Sequence, residues 1–101
     1  MSKKINCPVR KAMDMIGSKW KMKIIEALSK DNLRYGEIKR KTEGISEKML
    51  IQELKTLVEY EIISRKDFKQ IPPHVEYSLT NKGREVLPII EDIIAFGLKN
   101  L

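Results

Sequence analysis

The stretch from Tyr35 to Tyr60 limits what this chain can fold into more than any other part of it. Tyr35-Gly36-Glu37-Ile38-Lys39-Arg40-Lys41-Thr42 reads as a short helix, Glu43-Gly44-Ile45 as a turn, and a longer helix opens at Ser46. Gly44 adopts positive φ without steric cost and so ends the first helix. Ser46 caps the second by accepting a backbone N–H bond. Two helices joined by so tight a turn make a helix-turn-helix unit, whose second member has the dimensions to enter the major groove of DNA.

That second helix separates its residues by chemistry. At about 100° per residue, Leu50, Leu54, Leu57 and Val58 fall on one stripe, with Ile45 and Ile62 closing its ends. Lys48, Gln52, Lys55 and Glu59 point the other way. Lys donates to guanine O6 and N7, and Gln bonds adenine bidentately, so the free side has the chemistry of a base reader. An ordinary solvated surface carries the same residues. The segment after this helix weighs between the two.

Ile62 to Phe68 is strand-like, and Val75-Glu76-Tyr77-Ser78-Leu79 alternates apolar and polar strictly. Between them, Lys69-Gln70-Ile71-Pro72-Pro73-His74 carries two prolines that stiffen the tip and exclude it from the ladder. A hairpin directly after a helix-turn-helix is a wing, expected over about residues 62–79. Its basic residues Arg65, Lys66 and Lys69, with His74, are expected along a phosphate backbone, His74 alternatively being simply solvent-exposed. A metal role for His74 lacks a second ligand. The Tyr35 hydroxyl either touches phosphate or packs.

Upstream, Asn6-Cys7-Pro8 looks like a helix start, with Asn6 or Cys7 as cap and Pro8 in the first turn. Val9, Ala12, Met13 and Ile16 recur at helical spacing until Gly17-Ser18. A second helix carries Trp20, Ile24, Ala27 and Leu28 on one face and is expected to end near Lys30-Asp31-Asn32. Trp20 is a core or subunit-contact anchor, because its ring contributes a large apolar area. Leu33-Arg34 reads as a short strand leading into the helix at Tyr35.

Downstream, Thr80 caps a final helix. Relative to Val86, the apolar residues Leu87, Ile89, Ile90, Ile93, Ile94, Phe96, Leu98 and Leu101 cover an arc of about 200°, roughly twice what docking on one small domain needs. The surplus is expected against a two-fold copy of the chain, and a hydrophobic ligand groove is the competing use. Pro88 removes one backbone bond to Arg84 and is expected to kink the helix. Together these elements predict one domain over residues 1–101, mainly α with a small antiparallel β-hairpin (α+β). The architecture is a winged helix-turn-helix with additional N- and C-terminal helices, about 7–16 and 80–101, forming a dimer contact.

Composition excludes more than it assigns. With 42% hydrophobic and 34% charged residues the chain has ordinary globular proportions. Its longest apolar run is too short to span a bilayer, and Met-Ser-Lys-Lys lacks the apolar centre of a signal peptide, so a cytoplasmic address is expected. A single Cys excludes an internal disulfide and a cysteine-based zinc cage. The net charge of +6 suits a polyanion. Residues 1–23 hold seven Lys/Arg against Asp14 alone, so the whole excess lies there and residues 24–101 balance to zero. Bulk charge therefore supports DNA binding only weakly, and architecture has to carry the argument. With one His and one Cys, no paired carboxylates, no glycine-rich phosphate loop and no metal spacing, there is little from which to build an enzyme, a cofactor site or a metal site.

Several fragments taken together resemble the HxlR-type winged helix-turn-helix regulators. They are Cys7-Pro8-Val9, Ile16-Gly17-Ser18-Lys19-Trp20-Lys21, Gly44-Ile45-Ser46-Glu47-Lys48-Met49-Leu50, Leu54-Lys55-Thr56-Leu57, and Ile71 through Thr80 followed by Gly83 and Leu87-Pro88. The family pattern often has a second glycine where this chain has Ser18. The resemblance covers nearly the whole chain. It implies a homodimeric regulator, repressor or activator, binding inverted-repeat operators in double-stranded DNA. The reading helix would be Ser46–Glu59 and the wing Arg65–Glu76. The DNA-contacting set is then Tyr35, Lys39, Ser46, Glu47, Lys48, Gln52, Lys55, Arg65, Lys66, Lys69 and His74. The dimer contact would hold Val9, Met13, Trp20, Ile89, Ile90, Ile93, Ile94 and Leu98. In some family members the cysteine before the Pro-Val pair senses oxidants or electrophiles, and Cys7 occupies that place.

On its own chemistry Cys7 stays open between two roles. A helix N-terminus favours the thiolate, as do nearby Lys3, Lys4, Arg10 and Lys11, and the thiolate is what reacts. With no second Cys the products are an intersubunit disulfide, a mixed disulfide or an alkyl adduct. The other role is that of a small apolar residue packed in the dimer contact. For the chain as a whole, a protein-interaction adaptor built on the same fold is the alternative to a DNA-binding regulator.

Overall fold

The computed structural model describes residues 7–101. Its order is α1 (Pro8–Ile16), α2 (Lys19–Ala27), α3 (Tyr35–Lys41), α4 (Glu47–Glu59), β1 (Ile63–Asp67), β2 (Val75–Leu79) and α5 (Asn81–Lys99). Five helices and a two-stranded antiparallel hairpin make the predicted winged-helix class.

Three helix starts are set by side-chain caps. Ser18, Ser46 and Thr80 accept from the amides of Lys21, Met49 and Gly83 at 3.0, 3.1 and 3.0 Å. Each satisfies a donor that helix geometry leaves unpaired. At α3, Glu37 reaches back to the Arg34 amide at 2.8 Å. Cys7 holds the N-cap position of α1 but its side chain makes no capping bond, and Asn6 lies outside the described residues.

The helix ends are less regular. Helix α2 stops at Ala27, short of the expected Lys30-Asp31-Asn32, because Leu28 and Ser29 already turn back onto Ile24, Ile25 and Glu26. The predicted strand at Leu33-Arg34 shrinks to one residue. Leu33 exchanges two bonds with Tyr77, at 3.0 and 2.8 Å, while Arg34 is already the N-cap of α3. Helix α4 closes with Glu61 at φ 61°, donating to Val58 while Ile62 donates to Leu57. Those crossed bonds form a Schellman cap, at a position where glycine is the usual residue.

The hairpin pairs Ile63 with Leu79 through to Asp67 with Val75. The core contains Ile24, Ile25, Leu28, Ile38, Ile45, Leu50, Leu54, Leu57, Ile62 and Ile63, joined by Val86 and Ile90 of α5. Helix α5 reaches this core through a close approach. A Cβ at Gly83 would collide with the carbonyl oxygen of Ile62, so only glycine lets the helix lie there. The helix runs through Pro88 to Lys99, and every residue from Glu91 onward is exposed.

One residue expected at a subunit contact is used wholly inside the protomer, and another in part. Ile90 is 2% exposed, so its apolar area is already buried against its own chain. Trp20 packs half-buried against the core with Lys19 Nζ 4.4 Å above its ring, which is the core-anchor role. Val9, Met13, Ile89, Ile93, Ile94 and Leu98 are exposed.

Candidate nucleic-acid interface

The turn Thr42–Ile45 places α4 across the body of the domain. Gly44 takes φ 97°, and Ile45 returns a bond to Thr42 at 3.2 Å. Thr42 is itself buried, its hydroxyl donating to the Ile38 carbonyl at 2.7 Å. The turn is therefore held from both sides. Leu50, Leu54 and Leu57 then fix the inner side of α4 in the core.

Glu53 adds a constraint that periodicity did not reveal. It is buried on the inner side, with its carboxylate 3.0 Å from Lys21 Nζ and accepting from Ser18 Oγ at 3.1 Å. A buried carboxylate with a cation and a hydroxyl donor is a directional lock that leucines cannot supply. It ties the rotation of α4 to the first turn of α2. A Lys at position 21 opposite an acid on an apolar stripe was the available signal, but sequence spacing could not join residues that far apart in the chain.

The outer side of α4 is as patterned. Ser46, Glu47, Lys48, Gln52, Lys55 and Glu59 are all exposed. So is Ile51, which helical period alone does not single out. Residues 47, 48, 51, 52 and 55 follow the i, i+1, i+4, i+5, i+8 spacing that keeps them on one continuous helix face. The wing stands beside this face. Ile51, Leu54, Lys55, Val58 and Glu59 of α4 line a cleft of about 300 Å³ together with Tyr35, Arg65 and Tyr77.

Within the wing, Arg65, Lys66 and Lys69 are exposed, with Lys66 Nζ 4.8 Å over the Phe68 ring. His74 is not the free side chain expected. Arg34 Nη2 lies 2.7 Å from its Nδ1, and Glu76 Oε2 lies 2.7 Å from its Nε2. Arginine has only donors, so Nδ1 accepts and the ring proton sits on Nε2, donated to Glu76. The Phe68 ring packs 4.6 Å away. His74 is thus a strut joining the wing to the entry of the helix-turn-helix, and both ring nitrogens are taken.

Tyr35 is corrected in the same direction. Its hydroxyl is buried without a hydrogen-bond partner among the described residues, so it packs and does not reach toward phosphate. Burial holds the phenol above its ordinary value, with the Glu47 carboxylate and Tyr77 adding to the effect. Lys39 lies half-buried on α3. Cys7 is exposed at the start of α1; Lys3 and Lys4 lie outside the described residues. Among the described residues, no helix is long and apolar enough to cross a membrane and no three His, Cys, Asp or Glu side chains converge as metal ligands.

The arrangement matches known proteins over nearly its whole length. A family described as HxlR-like helix-turn-helix matches residues 15–101. An HTH-type transcriptional regulator of Halalkalibacterium halodurans is 43% identical over 94 residues, covering 92% of this chain and 83% of the relative. A MarR-family transcriptional regulator of Porphyromonas gingivalis superposes with a TM-score of 0.87 at 51% identity, covering 95% and 94% of the two chains. The redox regulator HypR in its oxidized form superposes with a TM-score of 0.87 at 36% identity, over 94% of this chain and 98% of that one. These relatives are transcriptional regulators rather than enzymes. With its helices, hairpin and helix caps in the order that winged-helix regulators share, the chain belongs to the HxlR-like helix-turn-helix family of transcriptional regulators.

Proposed function

We propose that this chain is a homodimeric, sequence-specific DNA-binding regulator of transcription, acting in the cytoplasm on an inverted-repeat operator. One observation carries the reading: Glu47, Lys48, Gln52 and Lys55 share an exposed face of α4 whose opposite side is locked into the core. In this reading the whole chain works as one unit. Residues 35–60 insert the reading helix, residues 62–79 form the wing, and helices 7–16 and 80–101 join two copies. Lys48 and Lys55 donate to guanine edges or phosphate, Gln52 reads adenine, and Ser46 and Glu47 sit at the entering end. Arg65, Lys66 and Lys69 follow the backbone. Val9 and Met13 of α1, with Ile89, Ile93, Ile94 and Leu98 of α5, face the second copy. Two-fold pairing then sets half-sites about one helical turn, or a multiple, apart.

A response to thiol-reactive compounds rests on Cys7, which is exposed at the head of α1, and on the likeness to HypR, a redox regulator. Its thiolate would form a disulfide with a partner copy or a small thiol, or an adduct with an electrophile. A Cys7→Ser chain that releases its operator under diamide as readily as the native chain removes this part of the proposal.

The test of the main reading is selection of duplexes from a random pool, followed by a salt titration on the winner. Binding should weaken steeply as salt rises, with Lys66→Ala and Lys69→Ala each lowering the log–log slope by about 1 and weakening all sequences alike. Gln52→Ala should instead relax preference at one base pair. A purified chain that selects no duplex at low ionic strength defeats the reading and leaves the adaptor function standing.

A further inference from the structure

Ile51 sits where a polar residue is expected. It is 58% exposed, and it is the one large apolar side chain of α4 that is exposed. Isolated exposed apolar residues are commonplace, so exposure alone carries nothing. Its position does. The neighbours of any helical residue are those three and four positions away. For Ile51 they are Glu47, Lys48 and Lys55, all exposed, and Leu54, with which Ile51 lines the cleft beside the wing. Gln52 adjoins them. Ile51 therefore lies on the wing-side flank of the proposed reading face, between its charged side chains and the cleft. Every other exposed large apolar side chain among the described residues lies on α1, on α5, at the chain end or at Ile71 of the wing tip.

The major-groove floor is made chiefly of nitrogen and oxygen donors and acceptors, and its most prominent apolar group is the C5-methyl of thymine. An isoleucine pressed onto a donor or acceptor would strip it of water and return no hydrogen bond, which is unfavourable. Pressed onto a methyl, it removes apolar surface from water on both sides. A β-branched side chain in a helix also holds nearly one rotamer, so its methyls are placed before binding. We infer that Ile51 is a specificity-determining residue that reads the C5-methyl of a thymine, next to the base pair contacted by Gln52. The half-site then contains an obligatory thymine beneath the second turn of α4. The inference rests on the DNA-binding reading above and deepens it.

The experiment uses the full chain and the duplex it selects from a random pool. Each thymine of one half-site is replaced in turn by uracil, which removes the C5-methyl and nothing else. With the native chain, one position should lose about fourfold in affinity, the ratio expected for one buried methyl, while the others stay near unity. Ile51→Ala, at an exposed position, should bind the thymine duplex more weakly and show no further loss with uracil at that same position. Ile51→Val should retain part of the discrimination. Equal affinity of the native chain for every uracil duplex overturns the inference and leaves DNA binding intact, as does an unchanged uracil penalty in Ile51→Ala. Failure to bind any duplex overturns the parent reading and this inference together.

Discussion

Helices α4 and α5 are both amphipathic, yet the fold treats them in opposite ways. Helix α4 buries its apolar stripe within its own chain and turns its charged side to solvent. Helix α5, at 19 residues the longest, buries only Gly83, Val86 and Ile90, and its outer half exposes Ile93, Ile94, Phe96 and Leu98. A finished helix offers chemistry to a polar partner, whereas an unfinished one needs apolar surface from elsewhere. Amphipathicity alone does not say which kind a helix is. The number of faces that a chain of this size can cover does.

The sharpest way to break that contrast is at α5. Ile93→Asp should weaken self-association by a hundredfold or more, since two-fold pairing loses an apolar contact twice and gains two desolvated charges, by the order-of-magnitude burial energies. Sedimentation would read it, and a native chain that sediments as a monomer at all concentrations would show that α5 needs no second copy. At α4 the corresponding blow falls on stability. Glu53→Ala strands Lys21 and Ser18, and is expected to cost about 2 kcal/mol in urea unfolding. A loss below about 0.5 kcal/mol would mean that the leucine stripe fixes α4 without the ionic lock.

Smaller effects test how well α4 is finished at its edges. Glu61 holds φ 61° in the closing cap, a conformation that glycine adopts freely, so Glu61→Gly should raise stability by about 1 kcal/mol. Tyr35 contributes the least. Because its raised phenol keeps its proton to higher pH in the folded chain than in the unfolded one, its contribution is complete below the ordinary value of 10.0 and is lost as pH rises through the folded value. Tyr35→Phe should therefore leave neutral-pH stability unchanged or slightly higher, as expected when an unpartnered hydroxyl is removed, and flatten the alkaline decline. A marked loss at neutral pH would instead mean that the hydroxyl has a partner.

Much of the architecture could be read directly because its signals are local. Gly44, Ser46 and Thr80 act on amides within a few residues of themselves, and the leucine stripe of α4 repeats within one helix. The site was harder. The exposure of Lys48, Gln52 and Lys55 was legible from helical period, but the packing of His74 and Tyr35 was not. A histidine beside two prolines looks solvated until Arg34, forty residues earlier, is brought to its ring. Helical period does not single out Ile51, because sorting α4 into an apolar stripe and a polar opposite leaves no place for an apolar side chain beside charged neighbours.

What this chain's order of residues determined unaided was the element types, the caps, the turn and which side of α4 is polar, since all of these obey steric and periodic rules acting over a few residues. Only the tertiary structure decided that Ile90 is consumed inside the protomer, that Glu53 is paired from inside the body, and that the wing is braced through His74. Those outcomes depend on which distant surfaces meet. Hydrophobic burial is indifferent to sequence separation, so no local pattern could carry them.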